Sequence, residues 1–218
     1  MHIEVGILSA PEIASANSVA VATLAAHARG LWRRPVEIGK ALLAAVFFSL
    51  FMEVWHQPVG PSELHFIGAS TVYFLFGFAP TLFGFAIGLA LQAVLFEPQD
   101  MVHLGVNALS LIVPLIAAHT LAGSRLLATG RSAPIAWTSV LRFDAIYYSG
   151  VVAMVAFWLA VGSPQSSFAG WALFAASYLL IVLCEPAISC AVLRAVRRLD
   201  TRNPVRRLTA LDGTMVAL

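Results

Sequence analysis

Apolar residues in this chain come in long runs rather than in strict alternation. Runs over about 36–55, 105–128, 143–161 and 170–195 are each near the ~20 residues a helix needs to cross a bilayer. Residues 10–28 form a weaker, Ala-rich segment, with Ala14, Ser18, Ala22 and Ala26 at every fourth position. The run from His65 to Phe96 would make a helix of about 48 Å, too long for a hydrocarbon core of about 30 Å. Gly77 and Pro80 interrupt it, and proline removes a backbone donor, so the pattern predicts two short helices joined by a tight turn. The expected fold is therefore all-α: a membrane bundle of about seven transmembrane helices over residues 1–199, followed by a basic tail at 200–218.

Composition strengthens that reading. Hydrophobic residues make up 60% of the chain and charged residues 11%, with a mean hydropathy of +0.86; a soluble domain is typically about 45–50% apolar and about 25% charged. Charge placement then orients the bundle. With seven spans and the N-terminus outside, all thirteen basic residues fall at the cytoplasmic face, as the positive-inside rule asks. Reading 65–96 as one span would move Arg125, Arg131 and Arg142 outside. The expected topology is N-terminus out and C-terminus in. Met1 to Gly6 lack a basic n-region, so the initiator end is expected to be the mature end.

The polar residues narrow the chemistry. Cys184 and Cys190 offer no thiolate cluster, and no phosphate-binding glycine loop, nucleophile elbow or zinc-protease helix occurs. Gln92, Asn107 and Glu185 interrupt apolar runs and are expected to find partners inside the bundle; Glu185 is read as structural, paired with a backbone group or an inner Arg. The pair Gly84 and Gly88 and the Ala14–Ala26 ladder permit close helix approach, with internal packing as the expected use and docking to a partner as the alternative.

Histidines carry the main functional signal. His2, His56, His65 and His103 lie at or near the predicted outer face, whereas His27 and His119 sit towards the inner ends of their spans and are expected to pack. His2 is unusual, because the Met1 amine, the amide between residues 1 and 2 and the His2 ring form one short three-nitrogen chelate. Another imidazole would complete a square plane, the geometry of Ni(II) or Cu(II) with Co(II) also accommodated. His65, His56 and His103 are all candidates for that fourth position on chemistry alone.

Four segments resemble, in order, the cobalt/nickel substrate-binding components of energy-coupling factor transporters, the CbiM/NikM type. They are Met1-His2-Ile3 with Gly6 and Leu8; Ser62-Glu63-Leu64-His65; Leu91-Gln92-Ala93-Val94-Leu95-Phe96; and Leu104-Gly105-Val106-Asn107-Ala108-Leu109. The resemblance implies a metal held by the Met1 amine, the His2 amide and ring, and the His65 ring, with Asn107 supporting the site. It implies capture of Co(II) or Ni(II) as a transported substrate, with no cofactor and no catalysis in this chain. The implied partners are a transmembrane coupling subunit, cytoplasmic ATPases and membrane lipid, in a prokaryotic inner membrane; nucleic acid is not an expected partner. Glu4, the loop 97–103, Ser110 and Val113 depart from the family pattern. Two other classes remain in view: a membrane metalloenzyme using Glu63 or Glu97 beside the histidines, and a non-metal scaffold or regulator.

Overall fold

Ser9 opens the first helix, α1 (Ala10–Trp32), and its backbone N–H donates to the Glu12 carboxylate at 2.7 Å. That bond satisfies one of the donors a helix start leaves free. Pro35 opens α2 (Pro35–Val54), a position where its missing N–H costs nothing. In this computed structural model residues 6–54, 56–59, 62–130, 135–162, 168–200, 202–203, 206 and 208–210 are described.

The segment after α2 is more structured than a surface loop. His56–Val59 (β1) and Ser62–His65 (β2) pair as an antiparallel hairpin, with His56 directly opposite His65. Gly68 then turns the chain at φ +65°; a Cβ there would lie 2.3 Å from the Phe51 ring, so both space and backbone favour glycine. The long run divides at Gly77, as its sequence predicts. Gly77, at φ +89°, ends α3 (Ala69–Phe76) and begins α4 (Phe78–Leu95). Pro80 falls in the first turn of α4, where no helical donor is lost.

The two halves of that run are unequal. α3 has 8 residues, all buried, and covers only about 12 Å of helix. A 3₁₀ turn (Pro98–Met101) leads to α5 (Leu104–Ala118), which continues through a π turn (His119–Gly123) into α6 (Ser124–Gly130). α7 (Trp137–Val161) and α8 (Phe168–Arg198) complete the bundle. Among the described residues five helical stretches are long and apolar enough to cross a membrane: α2, α4, α5 with its continuation, α7 and α8. α1 has the length but less apolarity, as its Ala-rich sequence dictates.

Close contacts fix the helix directions. A Cβ on Gly84 would meet the Ala44 Cβ at 2.5 Å, and one on Gly88 would meet the Phe48 ring at 2.4 Å. Gln92 Nε2 donates to the Ser49 carbonyl at 2.9 Å, so α2 and α4 run parallel. α7 lies antiparallel to α5, because Gly150 abuts Pro114 while Trp158 Nε1 donates to Ser110 Oγ at 2.9 Å. Asn17 Oδ1 accepts the Gly105 N–H at 2.7 Å, bringing the starts of α1 and α5 together. The hairpin, the turn before α5, the end of α7 and Ile7, which approaches Gly162, therefore share one end of the bundle.

Aromatic rings fill the middle: Tyr73 stacks on Phe143 and Phe48 packs on Phe85, both pairs nine-tenths buried or more. Outside, Leu179, Leu180 and Leu183 are 60–70% exposed, which suits lipid rather than water. The two small-residue stripes part ways. Gly84 and Gly88 pack internally, whereas Ala14, Ser18, Ala22 and Ala26 face outward. At the far end, Ala210 N–H donates to the Leu75 carbonyl at 2.6 Å and Arg206 Nη1 to the Leu199 carbonyl at 2.8 Å, so parts of the basic tail fold against the bundle.

Candidate metal centre

In a four-residue antiparallel pair, alternate side chains share a face. His65 and Glu63 thus lie on one face of β2, and His56 projects from the facing position on β1. The result is a clamp. Glu63 Oε1 accepts from His56 Nδ1 at 2.8 Å and Glu63 Oε2 accepts from His65 Nε2 at 3.1 Å. The two rings stack with centroids 5.8 Å apart and planes 13° from parallel.

Burial separates the two histidines. The His65 side chain is 5% exposed and that of His56 50%. His65 Nδ1 faces the Met52 carbonyl at 3.4 Å, and a carbonyl can only accept. The proton on Nδ1 is thereby assigned, which leaves Nε2 as the nitrogen able to offer a lone pair once it loses its proton. Glu63 now sits where a ligand to Nε2 would approach. The paired imidazoles hold the Glu63 carboxyl far below its ordinary value, the hydrogen bond with His65 contributing most, while the bond from Glu63 raises the His56 pKa above 6.5.

The other sequence-predicted residues fall as follows. Asn107 is buried in α5, one turn after His103, and its backbone N–H donates to the His103 carbonyl at 2.9 Å. His103 is 1% exposed, and neither ring nitrogen has a partner among the described residues. Burial lowers its pKa, opposed by the charge of Asp100. Met1 and His2 lie outside the described residues. Among the described residues no three His, Cys, Asp or Glu side chains converge as a metal site, so a centre at His65 needs ligands from elsewhere. His27 and His119 pack, His27 edge-on to Phe78 and His119 stacked on it at 4.0 Å. Ser110, one of the departures from the family pattern, takes the Trp158 indole as its partner.

Glu63 as a clamp was not read from the sequence. The signal available was the Pro- and Gly-rich stretch between a segment that begins with His56 and one that ends with His65, a hairpin pattern too short to show alternation clearly.

Comparison with known proteins bears on the family and the fold. The model of one family, described as cobalt uptake substrate-specific transmembrane region (CbiM), matches residues 2–202. A protein of Haemophilus influenzae whose name assigns it to metal transport is 33% identical over 126 residues, which cover 58% of this chain and 59% of that protein. A solved structure of a transition metal transporter superposes with a TM-score of 0.69 at 19% identity, covering 95% of this chain and 97% of that one. A truncated transition metal transporter gives 0.65 at 18% identity, covering 90% and 96%. At those identities the solved structures speak for the fold.

Proposed function

The chain belongs to the cobalt uptake substrate-specific transmembrane family, and we propose that it captures Co(II) or Ni(II) at the outer face of a prokaryotic inner membrane for import. The carrying observation is His65: buried, with Nδ1 committed to a backbone carbonyl and Nε2 presented at the end of the bundle where Gly6 and Ile7 also lie. Five residues separate Gly6 from the amino terminus, a reach of up to about 17 Å when extended. On this reading the Met1 amine and the His2 amide and ring supply three nitrogens and His65 Nε2 the fourth. Asn107 supports the site from the start of α5.

Metal entry then requires an exchange at His65. The proton on Nε2 leaves, Glu63 turns from the ring, and the lone pair meets the metal. A carboxylate released beside a divalent ion adds a favourable field without itself needing to ligate. A square plane closed by four nitrogens has no equatorial position for a substrate to be transformed, which favours transport over catalysis.

The positive-inside tendency supports N-terminus out and C-terminus in, because Arg33 and Arg34 precede α2 and Lys40 lies in its second turn, while the hairpin follows its end. ATP hydrolysis on this reading belongs to separate cytoplasmic subunits working through a transmembrane coupling protein.

The test compares divalent-metal binding by the purified chain carrying a free Met1 with a version extended before Met1. Tight Ni(II) or Co(II) binding that disappears on extension supports the chelate. Equal binding by both versions removes the free amine from the ligand set, and no binding by either overturns the metal assignment.

A further inference from the structure

Within the bundle lies a second acidic site that the metal reading leaves unused. Asp144 and Tyr148 are one helical turn apart on α7, and Glu185 and Ser189 one turn apart on α8, so each pair presents one face. The first turn of α3 enters between them with Ser70 and Thr71. Asp144, Glu185 and Ser189 are each 0% exposed, as is Ser70.

Glu185 is fully provided for. Its Oε1 accepts the Ser70 backbone N–H at 2.9 Å and its Oε2 accepts the Tyr148 hydroxyl. The Ser70 N–H is one of the donors left free at the start of α3, so α8 caps α3 with a carboxylate. Asp144 is not provided for. Oδ2 lies 3.0 Å from Ser70 Oγ, and Oδ1 has no partner among the described residues. Ser70 Oγ is also 3.1 Å from Glu185 Oε1, so a single hydroxyl separates the two carboxyl groups.

No cation balances the pair among the described residues. The charged and titratable groups around it are Tyr147 and Tyr148 on α7, and Tyr178 and Cys190 on α8. On α3, Tyr73 is turned away to His119 Nδ1 at 2.6 Å. Arg142 and Arg194, the nearest basic residues in sequence, are exposed. Two ionised carboxylates one hydroxyl apart in an apolar bundle repel each other, and an ionised Asp144 would leave a charged oxygen with no donor.

We propose that Asp144 and Glu185 form an intramembrane proton-binding site, with Asp144 carrying the proton, Glu185 the charge, and the Ser70 hydroxyl bridging them. Every hydrogen then has one destination. Asp144 Oδ2–H donates to Ser70 Oγ, and Ser70 O–H donates to Glu185 Oε1. Thr71 O–H donates to Ser189 Oγ and Ser189 O–H to Ser70 Oγ, both at 2.7 Å. A concerted shift along Asp144–Ser70–Glu185 moves the proton to Glu185 with no atom gained or lost. Ionisable groups in transmembrane segments commonly serve as proton relays, and this one joins α3, which begins four residues beyond His65, to α7 and α8.

Infrared spectroscopy of the full chain in micelles at neutral pH tests the site. The expected result is a protonated-carboxyl carbonyl band that shifts on deuteration, disappears in Asp144→Asn, and moves but persists in Ser70→Ala. A wild-type spectrum without that band overturns the proposal whether or not any variant folds. So does a band that survives unchanged in Asp144→Asn. Elemental analysis showing one retained Na(I), Mg(II) or Ca(II) per chain, with both carboxyls ionised, replaces the proton with a hard cation and equally overturns it.

Discussion

Glu63 and Glu185 are the same side chain in two environments, and each lies beside a second titratable group. At the hairpin, Glu63 sits between two imidazoles that can carry positive charge, one of them half in solvent. In the bundle, Glu185 sits among hydroxyls, a backbone amide and another carboxyl. The rim arrangement neutralises charge with a partner that can swing away, so it can open to a cargo ion. The interior arrangement fixes the charge of Glu185 on α8 with donors from α3 and α7, so its cheapest adjustable element is a proton. Burial thus decides which exchange each carboxylate can support.

The largest effect should come from breaking the interior site. Glu185→Ala removes the acceptor for Ser70 N–H and Tyr148 O–H, and takes from the Ser70 hydroxyl its contact with Glu185. Each buried donor left without an acceptor costs about 1–3 kcal/mol, and two are left here. Thermal unfolding in micelles should show that loss. If the two regions are independent, chains that remain folded should bind metal about as tightly as wild type. A normal unfolding midpoint in Glu185→Ala would show that the interior network carries little stability.

His65→Ala probes the other side of the contrast. Outer-shell partners of a metal are worth about 10–100-fold in affinity, so losing a ligand should cost about 100-fold or more in Ni(II) or Co(II) binding. Equilibrium dialysis of the free-terminus protein reads this directly. His56→Ala should cost far less, because its ring is a partner of Glu63 and not a proposed ligand. Equal losses in the two variants would dissolve the distinction between the buried and the exposed imidazole.

Much of the fold was legible because its signal is local. The apolar runs at 36–55 and 170–195 fall within α2 and α8 to within a residue, and Gly77 divides the long run as its neighbourhood implies. α7 begins before its predicted start at residue 143, at Trp137, since Thr138, Ser139 and Arg142 blur the hydropathy edge without ending the helix. His65 was readable as a candidate ligand; its choice over His56 and His103 came from resemblance and not from spacing. The interior site was half legible. Glu185 was expected to meet a backbone group or an Arg, and it meets the Ser70 N–H, 115 residues away. Asp144 gave no signal. Its burial depends on where α3 and α8 arrive, and no local pattern encodes that. The outward turn of the Ala14–Ala26 ladder was hidden for the same reason: small residues permit close approach without naming the partner.

The smallest effect is a titration, and it separates the two carboxylates most directly. In the metal-free chain the Glu63 bond raises the His56 pKa above 6.5, and the imidazoles depress that of Glu63 below 4.5. The sign of each linkage differs. The raised His56 favours folding fully below pH 6.5, and that contribution fades as pH rises through its folded value. The depressed Glu63 contributes above pH 4.5 and is lost as pH falls through its folded value. The clamp should therefore be tightest between about pH 4.5 and 6.5, with little effect on global stability because His56 is exposed and solvent screens the pair. Glu63→Gln should return the His56 titration, followed by NMR, towards its ordinary value, while the protonated-carboxyl band of the interior site stays in place. A His56 titration unmoved by Glu63→Gln would mean that the hairpin carboxylate does not hold that ring in solution.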